Sequence, residues 1–180
     1  MHRCGREGVA GRRPVHYECA VPAPRDRAPF GLPLHRVRRA AALTKIAHSD
    51  RVTHGIRVRA AAEYSLSESD PDHRRHIFVY RIRITNEGDE AAQLESRHWI
   101  IVDGNGRRQD VRGPGVVGEF PRIEPGATYE YTSRCPIATD WGTMEGSYLF
   151  RRPDGRGFDV EVGRFILAPN APPIVQQIGG

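Results

Sequence analysis

Apolar and polar positions alternate along most of the chain after His54, and that alternation predicts strands. Ile56, Val58, Ala60, Ala62 and Tyr64 share one parity, with Arg57, Arg59 and Glu63 on the other. A polar stretch containing Pro71 follows, and then the clearest strand, residues 76–86. There Phe78, Tyr80, Ile82 and Ile84 face one way and Arg81 and Arg83 the other. A period of two with this contrast is the mark of a strand with one buried face. Further strands are predicted over residues 91–102, 107–112, 127–133, 146–152 and 157–162, with Phe165, Ile166 and Leu167 extending the last. Turn residues divide them: Asn86-Glu87-Gly88-Asp89, Asp103-Gly104-Asn105-Gly106, Glu124-Pro125-Gly126 and Pro153-Asp154-Gly155. Residues 113–121 and 135–145 are expected as loops. No helical periodicity ten residues long occurs after position 52. The expected fold is all-β: an antiparallel immunoglobulin- or fibronectin type III-like β-sandwich of seven to eight strands.

Residues 1–51 break this pattern. Five prolines between Pro14 and Pro33 interrupt any regular element, and large apolar residues are few. The segment is expected to be a disordered basic extension, with a short basic helix possible over residues 34–48 and a true start near Val52 as a second reading. The ordered domain is then residues 52–170, and residues 171–180 a flexible tail.

Charge sharpens the division. The whole chain of 180 residues has a formal net charge of +5. Residues 1–51 hold eleven Lys and Arg against four acids, whereas the remainder holds sixteen against eighteen. The excess positive charge therefore lies in the leader, and the periodic part offers no basic face specific for nucleic acid. Arg81 and Arg83 beside Tyr80 do not make an RNA platform, because alternation turns Tyr80 to the core. No apolar run is long enough to span a bilayer, so no membrane association is expected. Three cysteines without a C-x-x-C pair fit a reducing cytoplasm.

Candidate chemistry is sparse. Residues 113–118, Gly-Pro-Gly-Val-Val-Gly, match G-x-G-x-x-G. That spacing holds a pyrophosphate when a helix begins after it. Here Pro121 and Pro125 leave no room for one, and Pro114 lacks an amide donor. Two readings stay open: a glycine-rich crossing between sheets, or a cradle of amides from Gly113, Gly115, Val116, Val117 and Gly118 that takes a small anion or nucleotide beside Arg112 and His98. Alternation puts His98 and Trp99 on opposite faces, with Trp99 in the core. No histidine pair has metal-ligand spacing; His98 with Asp103 or Asp110 is the nearest approach to a divalent-ion set. Cys135 has no histidine that the sequence places beside it, and Glu119 and Glu145 are isolated carboxylates. No catalytic residue, cofactor or metal is assigned.

Four motifs carry a resemblance to a known family. S-R-H-W-I-I-V-D-G-N-G, V-R-G-P-G-V-V-G-E-F-P, the P-G-x-x-Y-E-Y-T-S-R-C-P-I-x-T run and G-T-M-E-G-S-Y, with G-I-R-V at residues 55–58, closely resemble the bacterial ApaG family over about residues 52–170. Val102, Gly104 and Phe120 depart mildly from its pattern. The resemblance implies a fibronectin type III-like sandwich and a loose link to cobalt and magnesium tolerance. It implies also a gene often beside that of a diadenosine tetraphosphate hydrolase, and kinship with domains of F-box and DNA-polymerase-interacting proteins. In the family the glycine run, here Gly113, Gly115 and Gly118, is likened to a pyrophosphate loop. The expected function is a non-enzymatic module binding a protein or small ligand. Its expected surface is two loops at one end of the sandwich, with Phe120 and Trp141 as anchors. The alternative is a nucleotide or pyrophosphate binder or hydrolase using the glycine loop, with Mg²⁺ or Co²⁺ binding as a weaker third.

Overall fold

The computed structural model describes residues 48–171; the basic segment before His48 and the tail after Ala171 lie outside them. Nine strands follow in order: β1 (His48–Thr53), β2 (Ile56–Tyr64), β3 (His76–Asn86), β4 (Ala92–Asp103), β5 (Arg108–Pro114), β6 (Arg122–Ile123), β7 (Thr128–Ile137), β8 (Gly142–Arg151) and β9 (Gly157–Leu167). One 3₁₀ turn, Pro71–His73, interrupts the β2–β3 connection. All pairings between strands are antiparallel. One sheet runs β1-β2-β3-β7 and the other β5-β4-β8-β9, with the short β6 also on β4. The fold is the expected sandwich of the immunoglobulin/fibronectin type III kind.

The alternation sets the core. Phe78, Ile82 and Ile84 of β3 are fully buried, and Tyr80 nearly so. They face Leu94, Trp99, Tyr148, Phe150 and Phe165 of the other sheet. Trp99, 2% exposed, sits at the centre, with the rings of Tyr80 at 5.6 Å and Tyr148 at 5.8 Å, both edge-on. Each such aromatic pair adds about 0.5–1.5 kcal/mol to the gain from area burial. In register with Trp99 on β8 is Gly146, where a Cβ would run into the His98 carbonyl and the indole. Only glycine lets β8 pass so close.

Polar groups at the sandwich ends are partnered. The buried Asn86 amide donates to the carbonyls of Glu90 (2.8 Å) and Ile123 (3.0 Å) and accepts from Gly88 N–H (3.1 Å). At the other end, Asp103 Oδ1 accepts from the amides of Asn105 (3.0 Å) and Arg107 (2.9 Å), shaping the β4–β5 turn. One flank is drawn together: Glu161 N–H of β9 reaches Thr53 Oγ1 of β1 at 3.3 Å, and Arg51 lies 3.7 Å from Glu161.

Two expectations about boundaries change. The first strand begins at His48, four residues ahead of Val52. Its sequence, H-S-D-R-V-T, lacks alternation because an edge strand that buries only Ser49 needs none. The long loop expected over residues 135–145 is only residues 138–141. Cys135–Ile137 complete β7, and Glu145 lies within β8, held by Arg164 at 2.8 and 2.9 Å.

Candidate functional site

The glycine run is a tight hairpin between β5 and β6. Val116 and Glu119 exchange both backbone hydrogen bonds, Val116 N–H to Glu119 O at 2.9 Å and the reverse at 2.8 Å. The two residues between them, Val117 and Gly118, both have positive φ, +46° and +82°. That pair of angles marks a type I′ turn. Valine is branched at Cβ and disfavours the left-handed region, so Val117 stores strain of about 1–3 kcal/mol. Gly115, at φ +53°, donates its N–H to Glu95 O at 2.8 Å, and a Cβ there would collide with the Glu119 carbonyl. The amides of Gly115, Val116 and Glu119 are thus already given to carbonyls, and no helix follows.

Arg97 braces this hairpin from below. Its Nη1 donates to the carbonyls of Pro114 (2.9 Å) and Gly115 (2.7 Å). The sequence holds one signal for this: Arg97 shares the parity of Trp99, so its charge is turned inward at the rim and requires oxygen partners. Tyr129 Oη donates to Glu119 Oε2 at 2.8 Å from the neighbouring sheet, and Gln93 Nε2 to Phe120 O at 3.3 Å. Above this frame, Val117 is 53% exposed and Phe120 52%.

His98 and Arg112 stand opposite one another on β4 and β5, on the outer face of their sheet. His98 Nε2 lies 2.8 Å from Asp110 Oδ1, and Arg108 grips the same carboxylate at 2.7 and 2.9 Å. Arg108, then His98, holds the Asp110 carboxyl well below the usual carboxylate range. The group is a cross-strand charge ladder, not an acid–base pair, because its carboxylate is already neutralised.

A family model described as "ApaG domain" matches residues 66–152. The chain is 50% identical over 117 residues to Protein ApaG of Bdellovibrio bacteriovorus, covering 64% of this chain and 92% of that one. It is 47% identical over 120 residues to Protein ApaG of Aromatoleum aromaticum, covering 67% and 94%. The chain belongs to the ApaG family. A crystal structure of the ApaA protein from Bordetella pertussis has 45% sequence identity and a TM-score of 0.63, covering 65% of this chain and 95% of that one.

Within this ApaG domain the candidate residues separate into three groups. Gly113, Gly115, Val117, Gly118 and Phe120 build the hairpin, while Val116 is fully buried beneath it. Arg112 and His98 belong to the outer face. Trp141 belongs to neither. β8 pairs Gly142 with Asp103, the last residue of β4, whereas β6 pairs with Ala92 and Gln93 at its start. The glycine hairpin and the 138–141 loop therefore emerge at opposite ends, roughly 30 Å apart along β4. The expected single surface shared by Phe120 and Trp141 is corrected to two separate ones. Trp141, 48% exposed, lies over Gly104, and Thr139 Oγ1 clamps that contact by accepting from Gly104 N–H at 2.9 Å.

Cys135 is buried, and burial pushes its thiol up to about 12, which keeps it protonated and unreactive at neutral pH. Among the described residues, no three His, Cys, Asp or Glu side chains gather closely enough to hold a metal ion. No helix among them is long and apolar enough to cross a membrane.

Proposed function

We propose that this ApaG-family protein is a non-enzymatic binding module that docks a protein partner on the glycine hairpin, with Val117 and Phe120 as apolar anchors. One observation carries the reading: a β-branched residue holds a strained left-handed backbone at a turn tip, half in water, beside an equally exposed phenylalanine. With about half of its surface in water, Val117 gains little from packing to set against that strain. Inference from such an outlier runs to function. Exposed aromatic and aliphatic side chains on a braced loop also supply interface anchors at little entropic cost. The cytoplasm is the proposed compartment, in keeping with the free thiol of Cys135. Any effect on cobalt or magnesium tolerance would be exercised through the partner. A pyrophosphate held in the same loop has less to support it, since three of the loop's amides are already engaged.

The test is photo-crosslinking in cells of the source organism, from a reactive residue at position 117 and from a control at Arg81 on the far sheet. The expected result is a defined partner crosslinked from 117 alone, lost when Phe120 is changed to serine. The same products from both positions, or no loss with Phe120→Ser, would discard the hairpin as the docking site.

A further inference from the structure

We propose that the end of the sandwich opposite the glycine hairpin is a binding site for a small phosphate monoester. Arg74, Arg75 and Arg107 would take its phosphate, and an adjoining lobe its organic body. This assignment stands independently of partner docking at the hairpin.

The β2–β3 connection, the β4–β5 turn and the end of β7 border an open cleft of about 440 Å³, lined by Arg74, Arg75, Arg107, Arg108 and Asp103 among others. A second hollow of about 450 Å³ shares Arg74 with it and is lined by His76, Asn105, Thr139 and Asp140. Each lies within the range of small-molecule sites.

Arg74 and Arg107 form no ion pair among the described residues, whereas many arginines of this protein do. Arg57, Arg134, Arg151 and Arg164 each grip a carboxylate. Among the described residues, none lies within 4 Å of the guanidinium of Arg74 or of Arg107, and Arg75 donates to a backbone carbonyl, Glu68 O, at 3.0 Å. Arg108 is neutralised by Asp110, and the Asp103 carboxylate is turned to two backbone amides. Arg74 and Arg107, with Arg75 shared toward Glu68 and one Asp103 carboxylate turned to backbone amides, leave an excess of positive charge in the first lobe, which suits a phosphate monoester anion. Charge-assisted bonds from arginine suit such an oxyanion by geometry as well as by sign.

The backbone is set for this before any ligand arrives. Asp70 and Arg75 exchange two backbone hydrogen bonds, Asp70 N–H to Arg75 O at 2.7 Å and Arg75 N–H to Asp70 O at 2.9 Å. Arg74 closes the 3₁₀ turn at φ +53°, donating to Pro71 O at 2.9 Å. Arg74, a non-glycine residue in the left-handed region, is the residue that lines both hollows. In the second lobe Asp140 repels a further phosphate, while Asn105 and the free edge of the His76 ring, whose Nδ1 meets Tyr64 Oη at 3.2 Å, suit hydroxyls or a neutral ring. The two lobes together therefore select a monoester over a diphosphate.

The experiment is isothermal titration of the full chain at low salt with inorganic phosphate, AMP and adenosine. AMP is expected to bind more tightly than phosphate, adenosine not at all, and the affinity for AMP to fall as salt is raised. Arg74→Gln with Arg107→Gln should weaken AMP binding by about tenfold or more, with thermal melting unchanged because both side chains are exposed. Phe120→Ser and Arg112→Gln should leave it intact, which separates this site from the hairpin. No heat from phosphate or AMP overturns the proposal, as does undiminished binding in the double arginine variant. Equal affinity for phosphate and AMP would overturn the assignment of an ester.

Discussion

The hydroxyls of Tyr131 and Tyr148 meet at 2.6 Å inside the core, one from each sheet. Both side chains are buried, so the bond is a polar bolt through an apolar interior. Removing one hydroxyl strands the other. Tyr131→Phe and Tyr148→Phe should each lose about 1–3 kcal/mol, and the double variant should recover most of that loss. Urea unfolding of the four proteins in the cycle checks this; simple additivity would show that the hydroxyls do not depend on each other.

Stability should decline on the alkaline side earlier than tyrosine alone dictates. The folded Cys135 thiol is raised to about 12, against about 8.5 for an unfolded thiol. A group raised on folding contributes stability that is whole below its unfolded value and fades as pH climbs toward the folded one. The loss should therefore begin near pH 8.5 and deepen above about pH 10. Burial also pushes Tyr131 and Tyr148 far above their ordinary value, and they join there. Urea midpoints measured from pH 7 to 11 should show a shallower early slope in Cys135→Ala.

Glycine substitutions at the two close approaches should both destabilise, for steric reasons unconnected with any ligand. Gly146→Ala drives a methyl group into the His98 carbonyl at the centre of the sheet and should cost roughly 3 kcal/mol or more. Gly115→Ala collides with Glu119 O at the rim and should cost about 1–3 kcal/mol. Thermal melting ranks the two. Loss of nucleotide binding in Gly115→Ala would accordingly say nothing about a phosphate loop, since the hairpin itself is reshaped.

Val117→Gly is expected to leave stability unchanged or raise it by up to about 1 kcal/mol. Relief of left-handed strain is set against the greater freedom of glycine in the unfolded chain. A melting temperature several degrees lower would mean that Val117 serves the fold itself and would remove the argument for its role as a docking anchor.

These relationships differ in how far the amino-acid order discloses them. Phe78, Tyr80, Ile82 and Ile84 declare β3 unaided, because a period of two assigns faces without reference to neighbours. The same rule seats Trp99 inside and His98 outside. It cannot say at which end a loop emerges, which depends on pairing between distant strands. Gly142 opposite Asp103 sends Trp141 away from Phe120. The phosphate cleft was hidden for the same reason: Arg74 and Arg107 are 33 positions apart and are joined only by the fold. Arg97 was half legible, as an inward charge whose oxygen partners lie 17 and 18 residues on. The glycine run disclosed a turn but not its occupant, since a valine takes one of its two left-handed places.

The contacts of Arg51 and Thr53 with Glu161 have an effect beyond local stability. They fold the margin of one sheet against the margin of the other, so the molecule is zipped along a single flank. Another polypeptide seeking to add itself as an extra ribbon meets a shut side at β1 and β9. It must approach by β5 or β7, where Pro114 and Pro136 each withhold an amide from the newcomer. A domain guarded in this way resists sticking edge to edge with its own kind, and the guard lies along the strands, away from its two loop-bearing ends.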